Sequence, residues 1–294
     1  MSAGLSPSLV PNERAASNAS APVGIFDSGL GGLSVLRAVR ALLPRERLIY
    51  VADSLHAPYG ERDDDFIVDR TMAIGEWLVG QGAKALVVAC NTATAQSIAL
   101  VRERLPIPLV GVEPGVKPAA AVSRSRVVGV LATAVTLRSA RFQSLLERYA
   151  GDCRFICQAG HGLVQAVERC DTSSPALMAL LESYLAPMLG AGADTLVLGC
   201  THYPFLDRAI RDIAGERLQI VDTSVAIARQ LYRLLDAHAL KNDSAPPENL
   251  PRFCSTADGE SQRQLAASLL QLDAPVEHVD IPSRRTRLAE PDIV

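Results

Sequence analysis

The sequence predicts an α/β fold made of two similar α/β domains with mainly parallel sheets and a ligand site in the cleft between them. Three observations lead to this prediction. Short apolar runs rich in β-branched residues alternate with stretches whose charges recur at helical spacing. The apolar runs lack a polar face, as strands covered by helices on both sides require. One stretch that ends in cysteine occurs twice in the chain.

The alternation of strands and helices begins at residue 23 and favours a parallel sheet covered by helices. The run of Leu86, Val87 and Val88 is typical of a strand buried on both faces. The predicted strands are Val23–Phe26, Leu48–Ala52, Ala85–Ala89, Pro108–Val112, Val127–Leu131, Arg154–Cys157, Thr195–Gly199 and Leu218–Val221. The clearest predicted helices are Leu33–Leu43, Phe66–Gln81, Thr94–Arg104 and Ser139–Ala150.

The repeated stretch puts a cysteine at the end of a strand in each half of the chain. Residues from Gly82 to Cys90 align without gaps with those from Gly192 to Cys200. Each copy consists of a glycine that ends a helix, a buried strand and then the cysteine. Parallel α/β sheets bind ligands at the carboxyl ends of their strands, so two such units facing each other would hold a ligand between two thiols. A match this short also arises by chance among βα turns.

Two breaks divide the chain, one near Glu113–Pro118 and one near Asp222–Ser224. The later runs Arg252–Ser255 and Val276–Ile281 are expected to return to the first unit and complete its sheet. The first residues offer little apolar surface to offset the entropy of ordering. The predicted units are a disordered extension at 1–21, a first domain at 22–114 with 225–294, and a second domain at 115–224.

Composition excludes several classes of function. The chain has 294 residues, of which 48% are hydrophobic and 21% charged, as in an ordinary soluble globular protein. A net charge of −3 argues against nucleic acid as a partner, because phosphates require a basic patch. No apolar run approaches the roughly 20 residues that span a bilayer, so no membrane partner is expected. The extension lacks the features of a secretory signal, and we therefore expect a cytoplasmic protein.

Six cysteines lie too far apart for a disulfide scaffold, and the thiols are expected to be reduced. Cys90 precedes a predicted helix, whose amino terminus favours a thiolate. His202 lies two residues after Cys200 and could exchange a proton with it. The alternative for either cysteine is a buried structural residue. A zinc site lacks further ligands at suitable spacing, so no metal is expected, and a disulfide-exchange motif is absent.

Other candidate residues follow the first two strands. The glycine-rich loop after Asp27 and Ser28 leaves backbone amides free for an anion, although Asp and Ser are also common helix caps. Asp53 ends the second strand, and a Pro-Tyr-Gly turn at Pro58 follows it. Glu168 lies on a helical pattern and would by itself be interpreted as a surface carboxylate.

Four phrases of the sequence resemble the signatures of the glutamate racemases, a family of cofactor-independent aspartate/glutamate racemases. They run in order from about residue 22 to 225, and the two cysteine motifs are the most specific. Gly160 and His161 depart from the family, whose members usually have Cys-Pro eight residues before the glutamate that matches Glu168. The phrases are Gly24–Gly32, Asp53 with Pro58–Gly60, Ala89–Ala93 and Leu198–Pro204.

The resemblance implies a racemase of glutamate that uses no cofactor and supplies D-glutamate for peptidoglycan, with the active site in the interdomain cleft. It also implies a homodimer. The implied catalytic residues are the acid/base pair Cys90 and Cys200, assisted by Asp27, His202, Asp53 and Glu168. The implied substrate contacts are Asp27, Ser28, Pro58, Tyr59, Gly60, Asn91, Thr92, Thr133, Thr201 and His202.

Three alternatives remain open at this point. The first is a racemase of the same kind that acts on aspartate or another small amino acid. The second is a related α/β enzyme, such as a decarboxylase, that protonates a carbanion with a single thiol. The third is a non-catalytic binding or regulatory protein on the same fold. Two cysteines in equivalent positions favour a racemase, because neither of the last two alternatives needs both Cys90 and Cys200.

Overall fold

A computed structural model of the chain describes residues 19–244, 250–270 and 273–283. The predicted extension up to residue 18 and the predicted end of the first domain after residue 283 lie outside the described residues. The strands are β1 (Val23–Asp27), β2 (Leu48–Ala52), β3 (Ala85–Val88), β4 (Leu109–Gly111), β5 (Val127–Ala132), β6 (Arg154–Ala159), β7 (Thr195–Gly199), β8 (Gln219–Val221), β9 (Arg252–Ser255) and β10 (Val276–His278). The helices are α1 (Leu33–Leu42), α2 (Asp64–Gly80), α3 (Asn91–Arg104), α4 (Val116–Val122), α5 (Ala134–Arg138), α6 (Ala140–Tyr149), α7 (Leu163–Glu168), α8 (Pro175–Gly190), α9 (Asp207–Ala214), α10 (Ser224–Ala237) and α11 (Gly259–Leu270).

The strands form two parallel sheets with the same internal order. The first sheet runs β10-β9-β2-β1-β3-β4 and the second runs β6-β5-β7-β8. In each sheet the first strand of the unit lies between the second and the third. The order in which strands are added therefore changes direction beside β1 in one sheet and beside β5 in the other. Such a switch point leaves a crevice at the carboxyl ends of the strands. This order places the ends of β1 and β3 side by side, and likewise those of β5 and β7.

The repeated sequence forms the same local structure in both sheets. Helix α2 ends in a turn where Gly82, at φ +79°, is followed by a hydrogen bond from the Ala83 amide to the Leu78 carbonyl. Helix α8 ends in the same way at Gly192, at φ +82°. The amides of Gly82 and Gly192 also bond to the carbonyls of Val79 and Leu189, and Ala193 bonds to Met188 as Ala83 does to Leu78. A positive φ favours glycine, and this pair of terminal hydrogen bonds is the Schellman motif. The repeat is therefore a structural equivalence between two helix–turn–strand units.

Both faces of each sheet carry an apolar core. In the first sheet Ile25 and Val87 face α1 and α10, whereas Phe26 and Leu86 face α2 and α3. The second sheet packs one face on α8 and α9 and the other on α4 and α6. Burial on both faces explains why the strands show no polar alternation. The predicted α/β fold class with mainly parallel sheets is confirmed.

Element boundaries agree with the predictions within about three residues. Strands β2 and β7 match the predicted bounds at both ends, and Ser139 caps α6 rather than belonging to it. In the part of the chain that the structure describes, no helix is both long enough and apolar enough to cross a bilayer. We propose that the two sheets mark two domains, the first at 22–114 with 225–294 and the second at 115–224.

Candidate active site

The two cysteines of the repeat open onto one cavity between the sheets. Cys90 is the second residue after β3 and Cys200 the first after β7, and only 4% and 6% of their surfaces are exposed. The cavity measures about 10 Å³, which is close to the space that one water molecule needs. The walls must therefore separate before a larger ligand enters. The lining residues are Ser28, Pro58, Tyr59, Gly60, Cys90, Asn91, Thr92, Thr133, Val164, Cys200, Thr201 and His202.

Cys90 lies in surroundings that favour the protonated thiol. Its Sγ donates to the Ser28 hydroxyl at 3.3 Å and accepts a hydrogen bond from the Ala93 amide at 3.4 Å. Burial, followed by the charge of Asp27, raises the pKa of the Cys90 thiol to about 12, although these hydrogen bonds act in the opposite direction. Cys90 is therefore a thiol at neutral pH in this closed arrangement.

Cys200 belongs to a chain of three ionisable groups. Its Sγ lies 3.8 Å from Nδ1 of His202, and Nε2 of the same ring lies 2.6 Å from Oε1 of Glu168. Burial opposes the charge on His202, but contacts with Cys200 and Glu168 raise its pKa well above the usual value. Burial also opposes the charge on Glu168, whose pKa is nevertheless lowered by His202 and by the amide of Leu30.

The protonation of His202 follows from these contacts. The Gly31 amide points at Nε2 from 3.2 Å, but this contact is a hydrogen bond only when Nε2 carries no proton. The shorter contact with the Glu168 carboxylate and the raised pKa of His202 both favour a protonated Nε2. An imidazolium then donates to Glu168 through Nε2 and faces Cys200 through Nδ1. His202 is thus placed to exchange a proton with Cys200.

Asp27 joins the two sheets at the same cavity. One carboxylate oxygen accepts a hydrogen bond from the Thr201 hydroxyl at 3.0 Å, and the other accepts from the Gly29 amide at 3.1 Å. Burial raises the pKa of Asp27, although the charge of His202 and both hydrogen bonds lower it. Asp27 is thus a buried carboxyl that contacts a residue directly after Cys200.

Hydroxyl and amide groups form another part of the cavity wall. Oγ1 of Thr92 lies 2.9 Å from Oγ1 of Thr133, which donates to Thr136 Oγ1 at 2.9 Å. These threonines connect the amino-terminal end of α3, which follows β3 of the first sheet, with that of α5, which follows β5 of the second sheet. Among the described residues, Oδ1 of Asn91 is the buried side-chain oxygen or nitrogen that has no hydrogen-bond partner. An acceptor in this position is suited to a donor supplied by a ligand.

The turn after β2 forms a further part of the cavity wall. Pro58, Tyr59 and Gly60 line the cavity, and Gly60 lies so close to Thr133 that an added Cβ would approach the threonine Cβ to 2.9 Å. The Tyr59 hydroxyl donates to Asp53 at 2.5 Å. The turn therefore contacts the second sheet on one side and is anchored to the first sheet on the other.

A sequence profile of the Asp/Glu/hydantoin racemase family matches residues 33–231, which is more than half of the chain. The chain belongs to this family. It is 61% identical to a glutamate racemase from Ralstonia nicotianae over 263 residues, which cover 90% of this chain and 94% of the relative. The protein is accordingly a racemase, an enzyme of the isomerase class.

Solved structures of racemases share its fold. The glutamate racemase isoform RacE1 from Bacillus anthracis superposes with a TM-score of 0.82 at 31% identity, covering 90% of this chain and 99% of that one. Glutamate racemase from Escherichia coli, solved with L-glutamate and the activator UDP-MurNAc-Ala, has a TM-score of 0.79 at 32% identity and covers 90% and 100%. Both are similar to this racemase along nearly their whole length.

Three predicted site residues, Asp27, Asp53 and Glu168, do not line the cavity. Each is hydrogen-bonded to a residue that does: Asp27 to Thr201, Glu168 to His202 and Asp53 to Tyr59. The catalytic role of each of these carboxylates stays a prediction.

Sequence reasoning missed two residues at the cavity of this racemase. Thr136 hydrogen-bonds to Thr133, and Val164 supplies an apolar part of the lining. Thr136 had a signal, because hydroxyl residues three positions apart after a strand are typical of a helix amino terminus. Val164 had none, since an apolar residue on a short helix is usually part of the core.

Replacing Glu168 by Gln is expected to lower the pKa of His202, because the amide carries no charge to stabilise the imidazolium. The measurement is a titration of histidine signals by NMR, which is practical because the racemase has five histidines. His202→Asn identifies the signal by removing it. A His202 signal that titrates at the same pH in both proteins would contradict the ion pair.

Replacing Gly31 by Ala is expected to reduce turnover by about 100-fold, the cost of displacing a catalytic group by roughly 1 Å. An added Cβ would lie 2.4 Å from Nδ1 of His202 and 2.6 Å from Oγ1 of Thr201. Both side chains, which flank Cys200 in the cavity, would have to move. Steady-state kinetics, with circular dichroism to verify folding, measures the effect.

Gly80→Ala is the matched control for this substitution. A Cβ at Gly80 meets no atom within 4 Å, and the residue ends α2 before β3, whereas Cys90 lies beyond the other end of that strand. Alanine there should leave turnover unchanged and stabilise the helix slightly. Equal turnover in Gly31→Ala and Gly80→Ala would show that the glycine loop does not need its close approach to His202.

Proposed function

We propose that this racemase interconverts L- and D-glutamate without a cofactor, by proton transfer at the α-carbon between Cys90 and Cys200. The observation that carries the proposal is a pair of buried thiols at equivalent strand ends that face one cavity. Glutamate as the substrate is supported by the 61% identical relative and by the similar structure that contains L-glutamate.

The reaction needs two groups because the proton must leave one face of the α-carbon and return to the other. A thiolate removes the α-proton and becomes a thiol, and the electron pair of the C–H bond stays on the substrate as a carbanion. The opposite thiol donates its proton to this carbanion and becomes a thiolate. The surroundings support a start with Cys90 as the thiol that donates, and Cys200, which contacts His202, as the group that removes the proton.

The polar groups at the cavity suit an amino acid, which carries an ammonium and carboxylates. Asp27 is expected to bind the α-ammonium, together with the unpartnered Oδ1 of Asn91. The hydroxyls of Thr92 and Thr133 are expected to donate to a carboxylate once the walls separate. Hydrogen bonds to the α-carboxylate would also stabilise negative charge that develops on the carbanion. The remaining proposed contacts are Ser28, Pro58, Tyr59, Gly60, Thr201 and His202.

A cellular role follows from the proposed reaction. D-Glutamate is a component of peptidoglycan, so we propose that the enzyme supplies it for cell-wall synthesis in the cytoplasm. We propose further that the enzyme acts as a homodimer, and sedimentation of the purified protein would measure this.

The function is tested by incubating the reduced protein with L-glutamate in D₂O and resolving both enantiomers with their α-deuterium content. We expect D-glutamate that carries deuterium at the α-carbon. No inversion and no deuterium incorporation would contradict the proposal. The same incubation with L-aspartate is the control for specificity, and inversion of aspartate alone would assign the enzyme to a different substrate.

A further inference from the structure

A buried charge network lies directly behind the Pro58–Gly60 turn. Asp53 and Arg70 have exposed fractions of 0% and 2%. The guanidinium donates to both carboxylate oxygens of Asp53, through Nε at 3.0 Å and Nη2 at 2.8 Å. This two-point geometry fixes the orientation of the carboxylate as well as its charge.

The other donors to Asp53 come from two segments, the connection after β2 and the residue after β9. Tyr59 donates at 2.5 Å from the turn, His56 Nδ1 lies 2.9 Å away, and the Thr256 hydroxyl donates at 2.9 Å from the residue after β9. Burial alone would raise the pKa of Asp53, but the hydrogen bonds from His56 and Arg70, the charge of Arg70 and the bond from Tyr59 lower it below the usual range. The Asp53 carboxylate therefore has hydrogen-bond donors on both oxygens.

Arg70 extends the network to the end of the described chain. Its Nη1 donates to the backbone carbonyl of Ile281 at 2.5 Å, and Ile281 follows β10. The Arg70 side chain, which projects from α2, therefore contacts both the Ile281 carbonyl and the Asp53 carboxylate that accepts from Tyr59. The side chains of Tyr59 and Arg70 belong to the buried core on this face of the sheet.

We propose that Arg70 is a positioning residue for the racemase reaction, which acts through Asp53 to hold the Pro58–Gly60 wall against the substrate. The inference rests on the proposed function, because the wall matters only if an amino acid binds between it and the thiols. Arg70 does not touch the cavity. Its effect is therefore expected on the binding of substrate, whereas the thiols and His202 would keep their geometry.

The test compares Arg70→Lys and Tyr59→Phe with the unsubstituted enzyme. Lysine keeps the charge but has no planar fork to bind both oxygens and the Ile281 carbonyl together. Phenylalanine keeps the ring of Tyr59 and removes only its hydrogen bond to Asp53. Since the wall contacts ground state and transition state alike, we expect KM for glutamate to rise about tenfold in each variant while kcat changes less than about threefold.

A third variant separates positioning from stability. Lys84→Met breaks the buried ion pair with Glu46, which lies at the opposite end of the same sheet and contacts neither the turn nor the cavity. At a temperature where all variants are folded by circular dichroism, Lys84→Met should keep the KM of the unsubstituted enzyme. The double variant Arg70→Lys/Tyr59→Phe should show little more change in KM than either single variant, because both act through Asp53.

The outcomes separate this inference from the proposed function. If the unsubstituted enzyme does not racemise glutamate, the proposed function fails. If it does, but Tyr59→Phe and folded Arg70→Lys both retain its KM, only the positioning role of Arg70 is overturned. Additive changes in the double variant, or an equal rise of KM in Lys84→Met, would also overturn it. An Arg70→Lys protein that does not fold leaves the decision to Tyr59→Phe alone.

Discussion

Cys90→Ser and Cys200→Ser are each expected to lower the rate of racemisation by about 10²–10⁴-fold, the contribution of a positioned acid or base. The loss should appear in both directions, because each direction needs a base on one face and an acid on the other. Serine occupies nearly the same volume in these buried positions, but its hydroxyl has a much higher pKa than a thiol and cannot supply an anion. The measurement is the rate of inversion that starts from L-glutamate and from D-glutamate, monitored by circular dichroism.

The two variants should differ in the exchange of the α-hydrogen with solvent. Each keeps one thiol, so each should still exchange the α-hydrogen of the enantiomer whose proton faces that thiol. Cys153→Ser is the matched control, since Cys153 is buried with 4% exposure but does not line the cavity. It should racemise at the rate of the unsubstituted enzyme. A rate in Cys90→Ser or Cys200→Ser within tenfold of that control would contradict a two-thiol mechanism.

The position of both cysteines was predictable because the signal is local and occurs twice. Gly82 and Gly192 end helices by a motif that needs a positive φ, and the strand that follows each is buried throughout. Local patterns of this kind determine secondary structure and the direction of strands. The carboxyl ends of parallel strands then give the place of the site. For these reasons the fold class and the two cysteine turns could be read from sequence alone.

The contacts around those turns depend on the three-dimensional packing. Glu168 resembles a surface carboxylate in the sequence, yet its side chain reaches His202, 34 positions away, and the amide of Leu30, 138 positions away. Asp53 suggests a catalytic carboxylate because it ends a strand, and only the arrangement of Arg70 shows what its oxygens contact. Charge pairing of this kind follows from which segments meet, and periodicity carries no information about it.

Lys84→Met is expected to lower the free energy of unfolding by about 3–5 kcal/mol, the cost of removing one partner from a buried ion pair. Lys84 Nζ lies 2.5 Å from Oε2 of Glu46, and the two side chains have exposed fractions of 0% and 1%. The same ammonium donates to the carbonyl of Ala19, and the other oxygen of Glu46 accepts from the amide of Asn242 at 2.8 Å. Thermal unfolding should show a fall in Tm on the order of 10 °C.

A second substitution shows whether the loss comes from the uncompensated carboxylate. In Lys84→Met the Glu46 carboxylate stays buried with a single amide as its partner, which is costly in an apolar surrounding. Lys84→Met/Glu46→Leu removes that charge and should recover most of the stability, because apolar side chains of similar volume often replace a buried ion pair at little cost.

These two results would distinguish a buried ion pair from a packing defect. A cavity left by lysine would persist in the double variant, whereas the unpaired charge is absent from it. The pair also connects three parts of the chain, at Ala19, Glu46 and Asn242, to the start of β3. A Lys84→Met protein as stable as the unsubstituted enzyme would mean that Glu46 finds another partner or a proton at no cost. In that case the connection of these segments to β3 would rest on apolar contacts alone.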